Sequence, residues 1–154
     1  MIYMNCKLFQ LHSKKLLKHY LSISDNHFFN QKYVCSLIKP YIDETSKPRI
    51  IEKPADSLKV MQGRLKTLLY SIEVPDNVFS GIKGRSYAQN AYWHNGNNYV
   101  YKIDFTAFFP SIPRERVYSF FKDELQESSD IAEFLTNIST VDIDIADVKD
   151  MGKI

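Results

Sequence analysis

The chain has 154 residues and a mass of 18.0 kDa, enough for one domain with a packed core or for a portion of something larger. Hydrophobic residues make up 44% of it, with ten Phe and ten Tyr, which argues against disorder, and no apolar run approaches the roughly 20 residues needed to span a bilayer. The net charge of +2 conceals an asymmetry: residues 1–103 carry 15 Lys+Arg against 7 Asp+Glu, a balance of +8, whereas residues 104–154 carry 5 against 11, a balance of −6.

The basic first two-thirds suits contact with a polyanion, because neutralising phosphates releases counterions; a solvated lysine surface would give the same charge count. Cys6 and Cys35 stand 29 positions apart, outside any Cys-x-x-Cys or Cys/His cluster. That argues against zinc and fits small buried hydrophobes in a reducing compartment. Lys7, Lys14, Lys15 and Lys18 break the apolar start, so no leader is read there. The expectation is a soluble, cytoplasmic protein.

In chain order, Leu8, Leu11, Leu16, Leu17, Tyr20 and Leu21 predict an amphipathic helix over about 7–22. A shorter helix is predicted over about 28–38 from Phe29, Tyr33, Val34 and Leu37, followed by a polar turn over 41–47. Arg49-Ile-Ile-Glu-Lys53, between Pro48 and Pro54, reads as a short strand. Leu58, Met61, Leu65, Leu68, Leu69 and Ile72 give the clearest helical stripe of the chain, interrupted only by Gly63.

Residues 80–98, rich in Gly, Asn and Ser, read as a loop. Tyr99, Tyr101, Ile103 and Phe105 then alternate as in a strand, with Val100, Lys102 and Asp104 on its other face. This strand delivers the Asp104 carboxylate to its end, before an aromatic turn closed by Pro110. After it, Val117, Phe120, Phe121 and Leu125 predict a helix with Ser111 as its N-cap and Pro113 in its first turn. A further short helix is predicted over about 129–138.

Four pieces in order carry a family resemblance. They are Lys47-Pro-Arg-Ile-Ile-Glu-Lys-Pro54, the Leu58-Lys-Val-Met-Gln62 helix, Phe79-Ser-Gly-Ile-Lys-Gly-Arg-Ser86 followed by Asn90 and His94, and Tyr101-Lys-Ile-Asp-Phe-Thr-Ala-Phe-Phe-Pro-Ser-Ile112. The set resembles the N-terminal part of a bacterial reverse transcriptase of the retron and group II intron kind, over about residues 47–126. The resemblance implies an α+β architecture: an N-terminal helical extension over 1–45, fingers over 46–98 and a partial palm over 99–154. It implies RNA-directed DNA synthesis from dNTPs onto a primer 3′-OH by a two-metal mechanism.

Site roles follow from the same resemblance. Asp104 is implied as the catalytic carboxylate that holds Mg²⁺, with the Phe105 backbone carbonyl as a further ligand, since hard cations take oxygen donors. Arg49 and Lys53 are implied to hold the incoming triphosphate, and Phe109 to lie under its sugar. From the residues alone, Phe109 reads rather as a core aromatic beside Phe108, and a solvated strand edge is the alternative for the two cations. Lys83, Gly84, Arg85, Ser86 and Asn90 are implied to line the template, the glycine allowing close backbone approach to phosphates. His94, with no acidic or nucleophilic partner in sequence, is read as structural. Implied partners are an RNA template and primer, dNTP, and a structured non-coding RNA; a role in defence against phage goes with retron-like members.

The pattern is incomplete within these 154 residues. The family's Tyr-x-Asp-Asp hairpin and its Pro-x-Gly-x-x-x-Ser-Pro segment do not occur. Asp142, Asp144 and Asp147 superficially resemble a calcium loop but lack its glycine and closing glutamate, so they read as a solvated acidic tail. The expectation is a truncated polymerase, inactive alone, that needs a C-terminal palm and thumb. The alternatives are a non-catalytic RNA-binding module derived from such an enzyme, and a helical interaction domain without nucleic-acid affinity.

Overall fold

A computed structural model describes residues 2–45 and 48–141. Helix α1 (Lys14–Leu21) starts later than the apolar spacing predicts. Residues 4–10 fold instead as successive turns, with Cys6 N donating to Tyr3 O at 2.8 Å and Phe9 N to Cys6 O at 2.9 Å. Gln10 adopts φ 55°, which no right-handed helix can pass through, and Ser13 then caps the helix proper by accepting from Leu16 N. The helix stops at Ser22, itself left-handed at φ 51°, while Ile23 N reaches back to Lys18 O at 2.9 Å.

The helix predicted over 28–38 is divided by a cap. Asn26–Phe29 is a 3₁₀ turn whose Asp25 side chain accepts from His27 N. Asn30 then uses its side chain to accept from Lys32 N and Tyr33 N, which opens α2 (Gln31–Ser36). The polar turn expected at 41–47 is corrected over its first three residues. β1 (Ile38–Asp43) takes them in and pairs antiparallel with β2 (Arg49–Pro54), from Ile38 opposite Pro54 to Asp43 opposite Arg49. Pro40 is tolerated because both strands of a two-stranded ribbon are edges. α3 (Asp56–Leu69) forms where the stripe begins and buries Leu58, Met61 and Leu65, but it ends short of Ile72.

Residues 80–98 are not all loop: Ser86 opens α4 (Tyr87–Trp93) with a reciprocal capping box, its hydroxyl accepting from Gln89 N at 3.2 Å while Ser86 N donates to Gln89 Oε1 at 2.7 Å. The strand expected over 99–105 is not formed. Tyr101 is 93% exposed and its neighbours lie open on both faces, because no second strand stands beside the segment to complete a ladder among the described residues. Ser111 does not cap the next helix either. Its hydroxyl donates to Ala107 O at 2.8 Å, closing the 105–112 turn, and Pro113 occupies the cap position of α5 (Arg114–Ser119). α5 widens into a π turn (Phe120–Glu124), and α6 (Ser129–Ser139) completes the described chain.

α6 is the centre of the molecule. Ile131, Ala132, Phe134, Leu135, Thr136, Asn137 and Ile138 are all buried, so apolar surface meets packing on nearly every side. α2, α3, α5 and the π turn lie against it, and Leu8, Leu11, Leu17 and Leu21 of the N-terminal region complete the same core. The class is α+β, a helical core with one small two-stranded sheet at its side among the described residues, and no helix among them is long and apolar enough to cross a membrane. Leu135→Ala should lower stability to urea by about 3 kcal/mol, through lost burial and an unfilled cavity, whereas Val60→Ala on the open face of α3 should stay within about 0.5 kcal/mol.

Candidate nucleotide and template site

β2 and the turn after Asp104 face each other across an open cleft of about 710 Å³. Ile50, Ile51 and Glu52 form one wall, Phe109, Pro110 and Ile112 the other, and Val117 with Ser139 to Val141 close its base. The end of α6 therefore sets the width of the cleft. Arg114 fixes that base: it donates to Thr140 Oγ1 at 3.2 Å and Asn137 Oδ1 at 2.6 Å and pairs with Glu133.

On β2, Arg49 and Lys53 share one face, since they are four residues apart on a strand. Arg49 is not idle: its Nε and Nη2 reach Asp43 Oδ2 at 3.1 and 3.0 Å. The Thr45 hydroxyl and amide, with the Arg49 guanidinium, hold the Asp43 carboxyl below its ordinary range. Lys53 stands directly opposite Lys39 of β1, and both are exposed. Like charges placed opposite each other repel, so the pair favours an anion between them. Sequence reading missed Lys39 because it fell between the helix read over about 28–38 and the turn read over 41–47, and pairing register is what brings the two lysines together.

The turn itself is strained and open. Ala107 adopts φ 51°, and three phenylalanine rings stand along it, Phe105 to Phe108 at 6.2 Å and Phe108 to Phe109 at 5.3 Å edge-on. Phe109 is 81% exposed, so it is no core aromatic in this structure. Asp104 is likewise exposed. It offers one carboxylate, and with the Phe105 carbonyl it falls short of the several oxygen ligands Mg²⁺ requires. No group of three His, Cys, Asp or Glu side chains placed to hold a metal occurs among the described residues. The described residues alone do not fit the ion, and Asp142, Asp144 and Asp147 lie outside them.

The glycine loop forms its own small unit. Gly81 and Gly84 have φ +73° and +84°, a region open to glycine, and turn the chain back toward α4. Arg85 closes the unit, donating to Pro75 O at 2.7 Å, Val78 O at 2.6 Å and Asp76 Oδ1 at 3.1 Å. Phe79 meets Trp93 edge-on at 5.9 Å, which ties α4 to the loop. Lys83 and Gly84 are left exposed, Ser86 serves as the α4 cap, and Asn90 is exposed on that helix. His94 ends α4 as its C-cap. Arg85→Ala removes three charge-assisted bonds and should raise amide exchange across residues 75–86 by about tenfold while α6 amides keep their protection.

No family model matches the chain. Over 99 residues, 64% of its length, it is 33% identical to the retron Se72 reverse transcriptase of a Salmonella heidelberg strain. The match covers 26% of that relative, so the chain spans about a quarter of the protein it resembles. The expected resemblance to a bacterial retron-type reverse transcriptase is borne out.

Proposed function

We propose that this chain supplies the nucleotide-binding and template-binding part of an RNA-directed DNA polymerase of the retron type. The observation that supports the reading is the cleft between β2 and Phe109, which brings together two segments about 60 residues apart in sequence, with the exposed cations Arg49, Lys53 and Lys39 on the same ribbon whose Ile50, Ile51 and Glu52 line it. In this reading Arg49, Lys53 and Lys39 receive a triphosphate. Arg49 exchanges its bond to Asp43 for a phosphate oxygen, which a guanidinium grips in two places at once. Phe109 lies beneath the sugar, and a bulky ring there disfavours a ribose 2′-hydroxyl.

Lys83, Gly84, Ser86 and Asn90 present donors and bare backbone to the template, while Arg85 keeps their loop in shape. Asp104 is the carboxylate assigned to the reaction centre, where a magnesium ion would supply charge neutralisation. One carboxylate does not hold that ion, so no step is assigned to it within this chain. Activity accordingly requires further carboxylates beside Asp104, and the primer, the structured RNA and a role in phage defence belong to the same proposal.

The test is primer extension on an RNA template, with the chain mixed with a polypeptide that carries a Tyr-x-Asp-Asp hairpin. Extension is expected from the mixture, and Asp104→Asn should abolish it without changing RNA affinity. RNA binding without extension under any pairing would favour a second reading, a non-catalytic RNA-binding module, which the exposed position of Asp104 also accommodates. RNA affinity itself should fall steeply with salt. Lys83→Ala should lessen that slope by about one unit in a plot of log affinity against log salt.

A further inference from the structure

The N-terminal turns are fastened to the elbow between the π turn and α6 by three bonds. Gln10 N donates to Leu125 O at 2.8 Å, Ser128 N donates to Leu11 O at 3.3 Å, and Gln10 Nε2 donates to Gln126 Oε1 at 2.9 Å. Gln10 and Gln126 both hold left-handed backbone, φ 55° and 56°, a conformation that non-glycine residues keep only where surrounding contacts impose it. Between the two bonded positions Gln126 and Ser128 lies Glu127. Its residue is fully buried, and neither carboxylate oxygen has a hydrogen-bond partner among the described residues.

An ionised carboxylate in that position would be buried without compensation. Charged groups on the packed elements are engaged elsewhere: Glu124 with Tyr3 and with Arg116 at 3.6 Å, and Asp130 with Lys14 at 2.9 Å. The strap residues bonded to the elbow, Gln10 and Leu11, are neutral, and Lys7 of the same strap sits over the Tyr20 ring at 5.7 Å. Lys122 sets its ammonium on the backbone oxygen of Glu127 at 3.1 Å, not on the carboxylate. We propose that protonated Glu127 is the latch of this clasp, and that its ionisation in mild alkali releases residues 6–11 from the elbow, the freed carboxylate swinging out toward Lys122.

Burial alone pushes the Glu127 carboxyl from its ordinary 4.5 up to about 8. The folded chain therefore holds a proton that the unfolded chain has released. The stabilisation is complete below about pH 4.5, declines as pH rises toward 8, and is gone above it. Lys122, already held on the Glu127 backbone oxygen, then stands ready for a carboxylate leaving the interior, and Cys6, Leu8 and Leu11 are the buried groups that an opened strap would uncover.

The test is amide hydrogen exchange of the whole chain at about pH 6 and about pH 9, expressed as protection factors so that the intrinsic rate cancels. Protection over residues 6–12 should fall at least about tenfold at the higher pH, with α3 amides unaffected, and Glu127→Gln should abolish the fall. An equal fall in that variant, no fall in the native chain, or a parallel loss in α3 would each overturn the proposal. Should Glu127→Gln not fold, the carbon-13 shift of the native Glu127 carboxyl decides the matter. A midpoint coinciding with strap release supports the latch, and a midpoint in the ordinary carboxylate range refutes it.

Discussion

Burial of the Ser129–Ser139 helix on nearly every side requires other elements to lie across it, and the positions of those elements determine where the chemistry of this chain can sit. α3 presses an apolar stripe toward the core, α2 contributes Val34 and α5 the partly buried Val117 and Tyr118, and side chains then fix their registers. Gln62 donates to Ile138 O at 2.9 Å and locks α3; Arg114, with acceptors on Glu133, Asn137 and Thr140, locks α5. Non-directional burial holds the bundle together, while a few directed bonds choose one arrangement of it. Residues Ser139 to Val141, just beyond that lock, form the base of the cleft. Core packing and site geometry are thus two ends of one helix.

The cleft joins groups of opposite character. One wall is a two-stranded ribbon carrying Arg49, Lys53 and Lys39; the other is a strained aromatic turn with Asp104 just before it. Among the described residues the ribbon has no further strand and no buried side chain, so its exposed cations are open to an anion. The turn is different, because the Ser111 hydroxyl and amide both close onto Ala107 O and hold Phe109 outward. A ribbon that carries exposed cations beside the cleft, opposite an aromatic turn held by hydrogen bonds, suits a ligand with a charged tail and a flat apolar body. It does not hold a metal alone, and the exposed aromatic stretch around Tyr99 to Phe105 lacks the strand neighbours its alternation calls for.

Helices with a clean apolar stripe were legible in the sequence: α3 and α6 lie where the spacing of Leu58 to Leu69 and the 129–138 stretch puts them. Local side-chain chemistry redrew the rest. Asn30 and Ser86 create helix starts inside stretches whose periodicity or composition suggested one long helix or a plain loop. Non-local pairing redrew two more: β1 exists because Arg49–Pro54 lies beside it, and residues 99–105 are not a strand because nothing does. The motif residues were legible as a set, and the structure brings β2 and Phe109 to one cleft. The role of Arg85 in holding its own loop, the Lys39–Lys53 pair and the buried Glu127 were not legible, since each depends on what a fold places alongside.

The account rests most heavily on the cleft between β2 and Phe109 being a nucleoside triphosphate site. The most direct measurement is a titration of the isotope-labelled chain with a dNTP, followed by amide and aromatic chemical shifts. Saturable changes confined to Lys39, Arg49–Lys53 and the ring of Phe109, lost in Lys39→Ala with Lys53→Ala, are the predicted result. Changes that centre elsewhere, or that persist undiminished in the doubly substituted chain, would contradict it.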